Sequence, residues 1–259
     1  MWTRSRRAVL CASLSTGALG NGCDATLDPV GAAAQHDPNA SASLEAGGQD
    51  DGKAGAEPEP GLIGRWTLDS DPNDSVGDNH GVLLGGASFA KDALRGNVLV
   101  CNGTDAGVQV KNTLGLSFTY AAWLWSTTTS SVGSSAIEGD PLIWSNDPAG
   151  IDDFALAVLN DRLSYINYNE KATGTASVIN GKWHHIAATR QDGARVALYV
   201  DGQADGDGNS GTGVVSANPN VYFCGVPGGR HFEGLLDDVR LYDHVLSPSE
   251  VASLAIATR

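Results

Sequence analysis

Positive charge is scarce in this chain of 259 residues, which carries 16 lysines and arginines against 30 aspartates and glutamates. Without the first 22 residues, which contain three arginines and no acid, the count is 13 against 30, a net charge of −17. A nucleic-acid partner requires clustered basic side chains, so the composition argues against that class of function. An acidic balance of this kind fits a solvated surface or, more specifically, contact with divalent cations.

Long apolar runs and the common catalytic signatures are also missing. No stretch of about 18 consecutive apolar residues occurs, so no membrane-spanning helix is expected after the N-terminus. The sequence has neither the Gly-x-Ser-x-Gly turn of serine hydrolases nor the His-Glu-x-x-His of zinc proteases. These two absences argue against both classes of hydrolase.

The first 22 residues have the three parts of a signal peptide for export. Arg4, Arg6 and Arg7 form a basic start, a moderately apolar stretch follows, and small residues precede Cys23. The ending Leu-Gly-Asn-Gly-Cys resembles the lipobox of bacterial lipoproteins, whose cysteine carries the lipid and becomes the first residue of the mature chain. This resemblance implies lipidation at Cys23 and an anchor in a membrane. The alternative is an ordinary cleaved signal in which the cysteine falls by chance.

Residues 23–60 have the composition of a disordered linker. They are mainly Ala, Gly, Asp, Glu and Pro, with too few large aliphatic side chains to bury a core. Acidic side chains far outnumber the single Lys53, and their mutual repulsion favours an extended chain. The composition therefore predicts an acidic tether ahead of one folded domain over residues 61–259.

From Gly61 onward, short alternating apolar runs are separated by Gly, Asn, Asp and Pro, the pattern of an antiparallel all-β sandwich. Strands are predicted near residues 62–69, 81–84, 97–103, 106–110, 117–126, 141–145, 153–160, 162–168, 183–191, 195–201, 220–225 and 234–243. Asn160-Asp161 and Asp201-Gly202 are predicted hairpin turns. A helix is predicted after the last strand, because Ser247, Pro248 and Glu250 form a capping box with proline at the first helical position.

Two segments near the C-terminus resemble the laminin-G-like, concanavalin A-like family. GKWHHIAATRQDGARVALYVDG runs from Gly181 to Gly202, and FEGLLDDVRLYDHVLSPSEVASL runs from Phe232 to Leu254. Both match the family in order and spacing. The resemblance implies a two-sheet antiparallel jelly-roll sandwich with a short C-terminal helix. It also implies binding of carbohydrate or protein, the main use of this scaffold, although a fold alone does not establish a function.

A hydrolase of the laminarinase type on this scaffold would need Glu-x-Asp-x-Glu carboxylates alternating on one strand. The nearest run, Glu138-Gly139-Asp140-Pro141, is interrupted by glycine and proline, so no enzyme activity is predicted. The leading hypothesis is a non-catalytic, membrane-tethered extracytoplasmic module of a bacterial cell envelope that binds a glycan or a cell-surface protein. The alternatives are a structural or adhesion component of the envelope and an unrecognised glycoside hydrolase.

Aromatic side chains provide the candidate ligand-binding residues, since their faces pack against sugar rings, although most large aromatics belong to cores. Trp125 is favoured because it follows Trp123 at i+2 on one strand face, where the family usually has a polar residue. Trp144 and Tyr168 are the other two candidates.

Asp237 is the unusual member of the last predicted strand. Strict alternation places its carboxylate on the face of Val239 and Leu241 and away from Arg240, so it needs another arginine, backbone N–H donors or a cation. The resemblance implies calcium near this strand and the N-terminal loop. We therefore predict a structural Ca²⁺ held by Asp69, Asp78 and Asp237. Backbone N–H bonding to the carboxylate is the alternative.

Two other polar motifs are predicted to be structural. His184 and His185 are adjacent on a strand and point to opposite faces, so they cannot share one metal ion. The segment from Asp205 to Gly211 begins like a calcium loop but lacks the glycine and the final glutamate, so a polar hairpin loop is expected.

Cys101 and Cys224 are the only cysteines after Cys23. Export favours oxidation, and each lies where the resembling family has a core-facing apolar residue. We predict a disulfide between them; two buried free thiols are the alternative.

Overall fold

The computed structural model describes residues 59–145, 154–167, 170–209 and 218–257, which contain fifteen strands and one α-helix. The strands are β1 (Leu62–Trp66), β2 (Val82–Leu84), β3 (Ser88–Asp92), β4 (Gly96–Asn102), β5 (Gly107–Lys111), β6 (Phe118–Trp125), β7 (Asp140–Ser145), β8 (Phe154–Leu159), β9 (Arg162–Asn167), β10 (Glu170–Thr173), β11 (His184–Gln191), β12 (Arg195–Val200), β13 (Gln203–Asn209), β14 (Asn220–Phe223) and β15 (Glu233–Tyr242). The helix is α1 (Pro248–Ile256).

The strands form two antiparallel sheets packed face to face. Sheet A has the order β13-β12-β11-β6-β15-β4-β3, with β1 also paired to β15, and sheet B has the order β10-β9-β8-β7-β14-β5-β2. Six of the thirteen neighbouring strand pairs are consecutive in the chain, and the other seven join strands remote in the chain, as expected for a jelly roll. The predicted all-β, two-sheet sandwich with a short C-terminal helix is confirmed.

The core lies between the inner faces of the two sheets. In β6, Phe118, Tyr120, Ala122 and Leu124 alternate into it, because successive strand residues point to opposite faces. The ring of Phe154 on β8 meets them from sheet B, 5.3 Å from the ring of Phe118 in an edge-to-face contact. Burial of these large rings contributes much of the apolar stabilisation of the domain.

The position of Asp237 differs from the prediction. Asp238 has a left-handed backbone (φ +46°), and the pairing with β6 shifts register between Asp237 and Arg240, as a β-bulge requires. Leu236, Val239 and Leu241 therefore face the core, whereas Asp237 and Arg240 share the outer face of sheet A. The strict alternation assumed from the sequence fails at this extra residue.

The helix α1 is capped as predicted. The Ser247 hydroxyl accepts from the backbone N–H of Glu250 at 3.3 Å, and the Glu250 carboxylate accepts from the N–H of Ser247 at 2.7 Å. Leu246 and Val251 are buried together against a cluster on the outer face of sheet A that includes Ala121, Ala187 and Ala197. These small side chains leave room for the helix to approach the sheet.

Three strands were not predicted, and all three are polar strands at sheet edges: β3, β10 and β13. The predicted loop over Asp205–Asn209 is instead part of β13, which pairs with β12. A Cβ at Gly206 would lie 2.3 Å from the Thr173 carbonyl oxygen, so this glycine allows β10 and β13 to come close and narrow that side of the sandwich.

The two predicted hairpin turns are confirmed by positive φ at Asn160, Asp161, Asp201 and Gly202.

The predicted signal peptide, the lipidated Cys23 and nearly all of the predicted tether lie outside the described residues, as does Tyr168. Within the part of the chain that the structure describes, no helix is both long and apolar enough to cross a membrane.

Candidate functional site: a groove along one rim of the sandwich

The outer face of sheet A carries a row of partly exposed apolar side chains where β6 ends. Trp125 pairs with Leu235 on β15, and Leu235 pairs with Val100 on β4. The row lines a cavity of about 400 Å³ that continues into the polar residues Ser126–Thr128. The indole of Trp125 thus lies beside a depression lined by hydroxyl groups.

Two further cavities lie at the same rim, one sharing lining residues with the first cavity and the other with the second. One of about 220 Å³ shares Thr128 and Glu233 with the first cavity and is also lined by Ser131, Asp140 and His231. The other, of about 360 Å³, shares His231 with this second cavity. Its remaining lining residues are Leu84, Gly85, Thr104, Asp105, Gly107, Gly225 and Pro227–Gly229. We call the three together the rim groove. Its lining combines one tryptophan with hydroxyls, carboxylates and backbone, the mixture that recognises a polar ligand with flat apolar faces.

A disulfide holds two of the loops that form the rim groove. Cys101 at the end of β4 is bonded to Cys224 just after β14, with 5.6 Å between the Cα atoms, as predicted. The bond therefore joins sheet A to sheet B at the rim. The N–H of Phe232 donates to the Cys224 carbonyl at 2.7 Å, and the N–H of Gly103 donates to the Phe232 carbonyl at 3.0 Å. The two loops are thus fixed to each other before any ligand arrives.

The carboxylates of the rim groove differ in how many hydrogen bonds they already accept from the protein. Both carboxylate oxygens of Asp140 accept from Ser131, from its hydroxyl at 2.6 Å and its N–H at 2.9 Å. The Asn102 amide and the Gly86 N–H donate to Asp105 and lower the pKa of that carboxyl. Glu233 is exposed and lies where two cavities meet. It is the carboxylate best placed to accept bonds from a ligand.

Away from the rim groove, Asp237 is paired with an arginine. The Arg95 Nε donates to Asp237 Oδ2 at 2.5 Å, and the guanidinium of Arg95 stacks 4.1 Å from the centre of the Trp123 ring. Asp237 is fully buried, so the pair supplies the partner that a buried carboxylate requires. Sequence alternation did not lead to Arg95, which lies 142 residues earlier in the chain.

The neighbouring Asp238 organises a second ionic cluster on the same face. It accepts from Arg65 Nε at 2.7 Å and from Arg240 Nη2 at 2.8 Å. Burial alone would raise the pKa of Asp238, but the hydrogen bonds from the two arginines outweigh it and lower the pKa. Arg240 also donates to Glu59 at 2.7 Å, and the Tyr242 hydroxyl donates to the same carboxylate at 2.5 Å. These two hydrogen bonds hold the Glu59 side chain against β15.

The other predicted ligand and metal residues are not gathered at one place. Trp144 is only 5% exposed and packs with Ala155 and Val226 in a separate cluster, so a stacking role there would require its cover to move. In the N-terminal loop, Asp74 is the buried carboxylate, and it accepts from the N–H groups of Arg65, Val76 and Asn79. Among the residues described, no group of three or more His, Cys, Asp or Glu side chains is arranged to hold a metal. The calcium site at Asp69, Asp78 and Asp237, like the ligand role of Trp144, stays a prediction.

Sequence reasoning singled out Trp125, whose ligand role stays a prediction, and missed the rest of the rim groove. The missed residues lie in six segments of the chain, within residues 84–85, 100–107, 126–131, 140, 225–229 and 231–235. The run Ser126–Ser135, rich in serine and threonine between two strands, was the one visible signal, since hydroxyl-rich loops at strand ends often carry binding residues.

The model of the "Concanavalin A-like lectin/glucanases superfamily" matches residues 102–252, more than half of the chain. The chain belongs to this superfamily. Among its relatives, the Sushi, von Willebrand factor type A, EGF and pentraxin domain-containing protein 1 of Rattus norvegicus is 31% identical over 137 residues, 45% of this chain and 4% of that protein. Neuronal pentraxin-1 of Homo sapiens is 30% identical over 160 residues, 54% of this chain and 33% of that protein. The superfamily member described here thus spans about a third or less of the curated relatives it matches.

Solved structures share the fold of this superfamily member. Domain 4 of AbnA, a GH43 extracellular arabinanase from Geobacillus stearothermophilus solved in complex with arabinotriose, aligns with a TM-score of 0.58 at 21% identity, covering 75% of this chain and 98% of that domain. The binding domain of botulinum neurotoxin DC, solved in complex with SialylT, aligns with a TM-score of 0.54 at 11% identity, covering 75% and 50%. At these identities the likeness establishes the scaffold alone.

Proposed function

We propose that this protein is a non-catalytic binding module that holds a glycan in the rim groove. The observation that carries the proposal is the placement of Trp125 beside adjoining cavities lined with hydroxyls and carboxylates. A sugar ring offers a flat C–H face to an indole and hydroxyls at its edge, so both parts of the lining have a counterpart on one ligand. The two glycan complexes on the same scaffold support this choice over a protein ligand.

The direct test is glycan binding by the wild type and two tryptophan variants. Trp125→Ala removes the indole from the rim groove and is expected to weaken binding about tenfold or more, the usual cost of truncating a central aromatic contact. The control is Trp183→Phe. Trp183 donates to Asp92 at 3.1 Å on the outer face of sheet A and does not line the groove. Equal losses in both variants, or none in Trp125→Ala, would contradict the proposed site.

The same experiment separates this function from its alternatives. A module that only binds releases no product from a retained glycan, whereas a glycoside hydrolase shortens it; the carboxylates of Asp140 and Glu233 make the check necessary. A structural envelope component self-associates through its own surfaces. We therefore expect intact glycan after prolonged incubation and a sedimentation coefficient that does not change with protein concentration.

We also propose that the module is exported and held at a bacterial cell envelope through a lipid on Cys23. The disulfide supports export, because such bonds persist in oxidising compartments. The sequence from Arg4 to Cys23 supports the anchor. In cell fractionation, Cys23→Ser should move the protein from the membrane fraction to the soluble fraction. A variant that remains with the membranes would contradict lipidation at this residue.

A further inference from the structure

The rim groove carries an excess of negative charge. Asp105, Asp140 and Glu233 line it. The basic side chains beside them are His231, which lines two of the cavities, and Arg230, which donates to the Ser131 hydroxyl at 3.1 Å. The pKa of Asp105 is lowered by its hydrogen bonds, so this carboxylate is ionised at neutral pH. No lysine lines any of the three cavities. The whole chain reinforces the local field, since its formal net charge is −14.

The three carboxylates are not equally available to a ligand. Asp140 is satisfied by Ser131 on both oxygens, and one oxygen of Asp105 already accepts from Asn102 at 2.7 Å and Gly86 at 3.0 Å. Glu233 is exposed, and its backbone carbonyl is fixed by the Ser126 hydroxyl at 2.7 Å. Its side chain lines both the cavity beside Trp125 and the one beside Ser131. A ligand that lies across these two cavities must pass Glu233.

We propose that the rim groove selects uncharged oligosaccharides over acidic ones and that Glu233 is the specificity-determining residue. This inference rests on the proposed function of the groove. An ionised carboxylate accepts hydrogen bonds from sugar hydroxyls and stabilises a neutral glycan. The same group repels the carboxylate of a sialic or uronic acid, and the low dielectric of a groove strengthens that repulsion.

The test uses an array that presents each neutral oligosaccharide beside its sialylated or uronic-acid counterpart. We expect the acidic member of a pair to bind at least about tenfold more weakly, a difference that one close like-charge contact supplies at an intermediate dielectric. Glu233→Gln keeps the shape and an acceptor oxygen but removes the charge. The ratio of affinities between the neutral and the acidic member of each pair should therefore decrease by about three- to tenfold.

The matched control is Asp243→Asn, which removes one exposed acid at the other end of β15. Ten strand residues separate it from Glu233, roughly 30 Å, which is beyond the Debye length of about 10 Å at 0.1 M salt. This variant should show the same ratio of affinities for neutral and acidic glycans as the wild type. Added salt should strengthen binding of the acidic member and not the neutral one, because only the former is repelled.

The outcomes distinguish a failure of the proposed charge selectivity from a failure of the proposed glycan binding. Acidic glycans that bind as well as their neutral partners, or a ratio of affinities that Glu233→Gln does not decrease, would overturn the selectivity and leave glycan binding standing. An array on which no glycan is retained would overturn the proposed function and this inference with it.

Discussion

His185 provides the sharpest prediction from the structure, because it is a buried histidine on the outer face of sheet A. Its side chain is 2% exposed, packs edge-on to Trp123 at 5.3 Å between ring centres, and has an Nδ1 atom without a hydrogen-bond partner among the described residues. Burial lowers the pKa of His185 to about 4, and the positive charge of Arg240 adds to the effect. The folded state therefore holds this imidazole neutral.

The sign of the pH dependence follows from the lowered pKa. The unfolded chain protonates His185 near its ordinary value of 6.5, whereas the folded chain does so only near 4. Between these values the unfolded state binds more protons, so stability falls as pH falls through this window. With a folded pKa of about 4, the loss from this one group is about 2 kcal/mol between pH 7 and pH 5 and about 3 kcal/mol by pH 4.

The assay is urea unfolding at pH 7 and pH 5 for the wild type and His185→Phe. Phenylalanine keeps a ring against Trp123 and removes both the titration and the unpaired nitrogen, so the variant should lose about 2 kcal/mol less than the wild type over this interval. The control is His244→Gln, since the His244 side chain is 42% exposed, and it should follow the wild type. Equal losses in the wild type and His185→Phe would refute the reasoning.

Four further outcomes are expected. Replacing Cys101 and Cys224 by alanine should lower the free energy of unfolding by about 4 to 5 kcal/mol, from the chain entropy of their loop, with the loss measured by urea unfolding. Asp237→Asn removes the negative charge beside the partly buried Arg95 guanidinium and should cost about 1 to 3 kcal/mol in the same assay. If calcium binds at Asp237, chelator should lower the melting temperature of the wild type and not of this variant; an unmoved wild type would contradict the calcium site. Ser247→Ala should cost about 1 kcal/mol by loss of the helix cap. The control is Ser253→Ala, whose hydroxyl donates to the Ser249 carbonyl inside the helix and takes no part in the cap.

The sequence predicted the elements that place several apolar side chains on one face, and it failed at strands where at most one side chain reaches the core. Alternation in β6 and β15 and the capping box of α1 are local signals, and each lies where the pattern placed it. The strands β3, β10 and β13 lie at sheet edges and carry polar residues, so their pairing depends on neighbours that are remote in the chain. In β3 and β10 one apolar side chain each, Phe89 and Ala172, packs against the core, and no residue of β13 does, so alternation has too few apolar positions to reveal these strands.

The error over Asp237 has a different origin. A period of two gives the correct face only while the strand stays regular, and one bulged residue reverses every position beyond it. The left-handed Asp238 is that residue. Its two arginine partners stabilise the bulge. Arg240 lies only two residues along β15, but Arg65 lies on β1, and no local pattern in the sequence points to it. The charged face opposite the core follows from the tertiary structure alone.

The candidate site was the least predictable part, because the rim groove is assembled from loops that the disulfide and the sheet order bring together. The described chain begins at Glu59, which is fastened to Arg240 and Tyr242, whereas Glu233 in the groove lies at the other end of β15. A strand of ten residues separates these points by roughly 30 Å. A glycan held in the groove, as we propose, would lie at the end of β15 that is remote from Glu59 and its bonds to Arg240 and Tyr242.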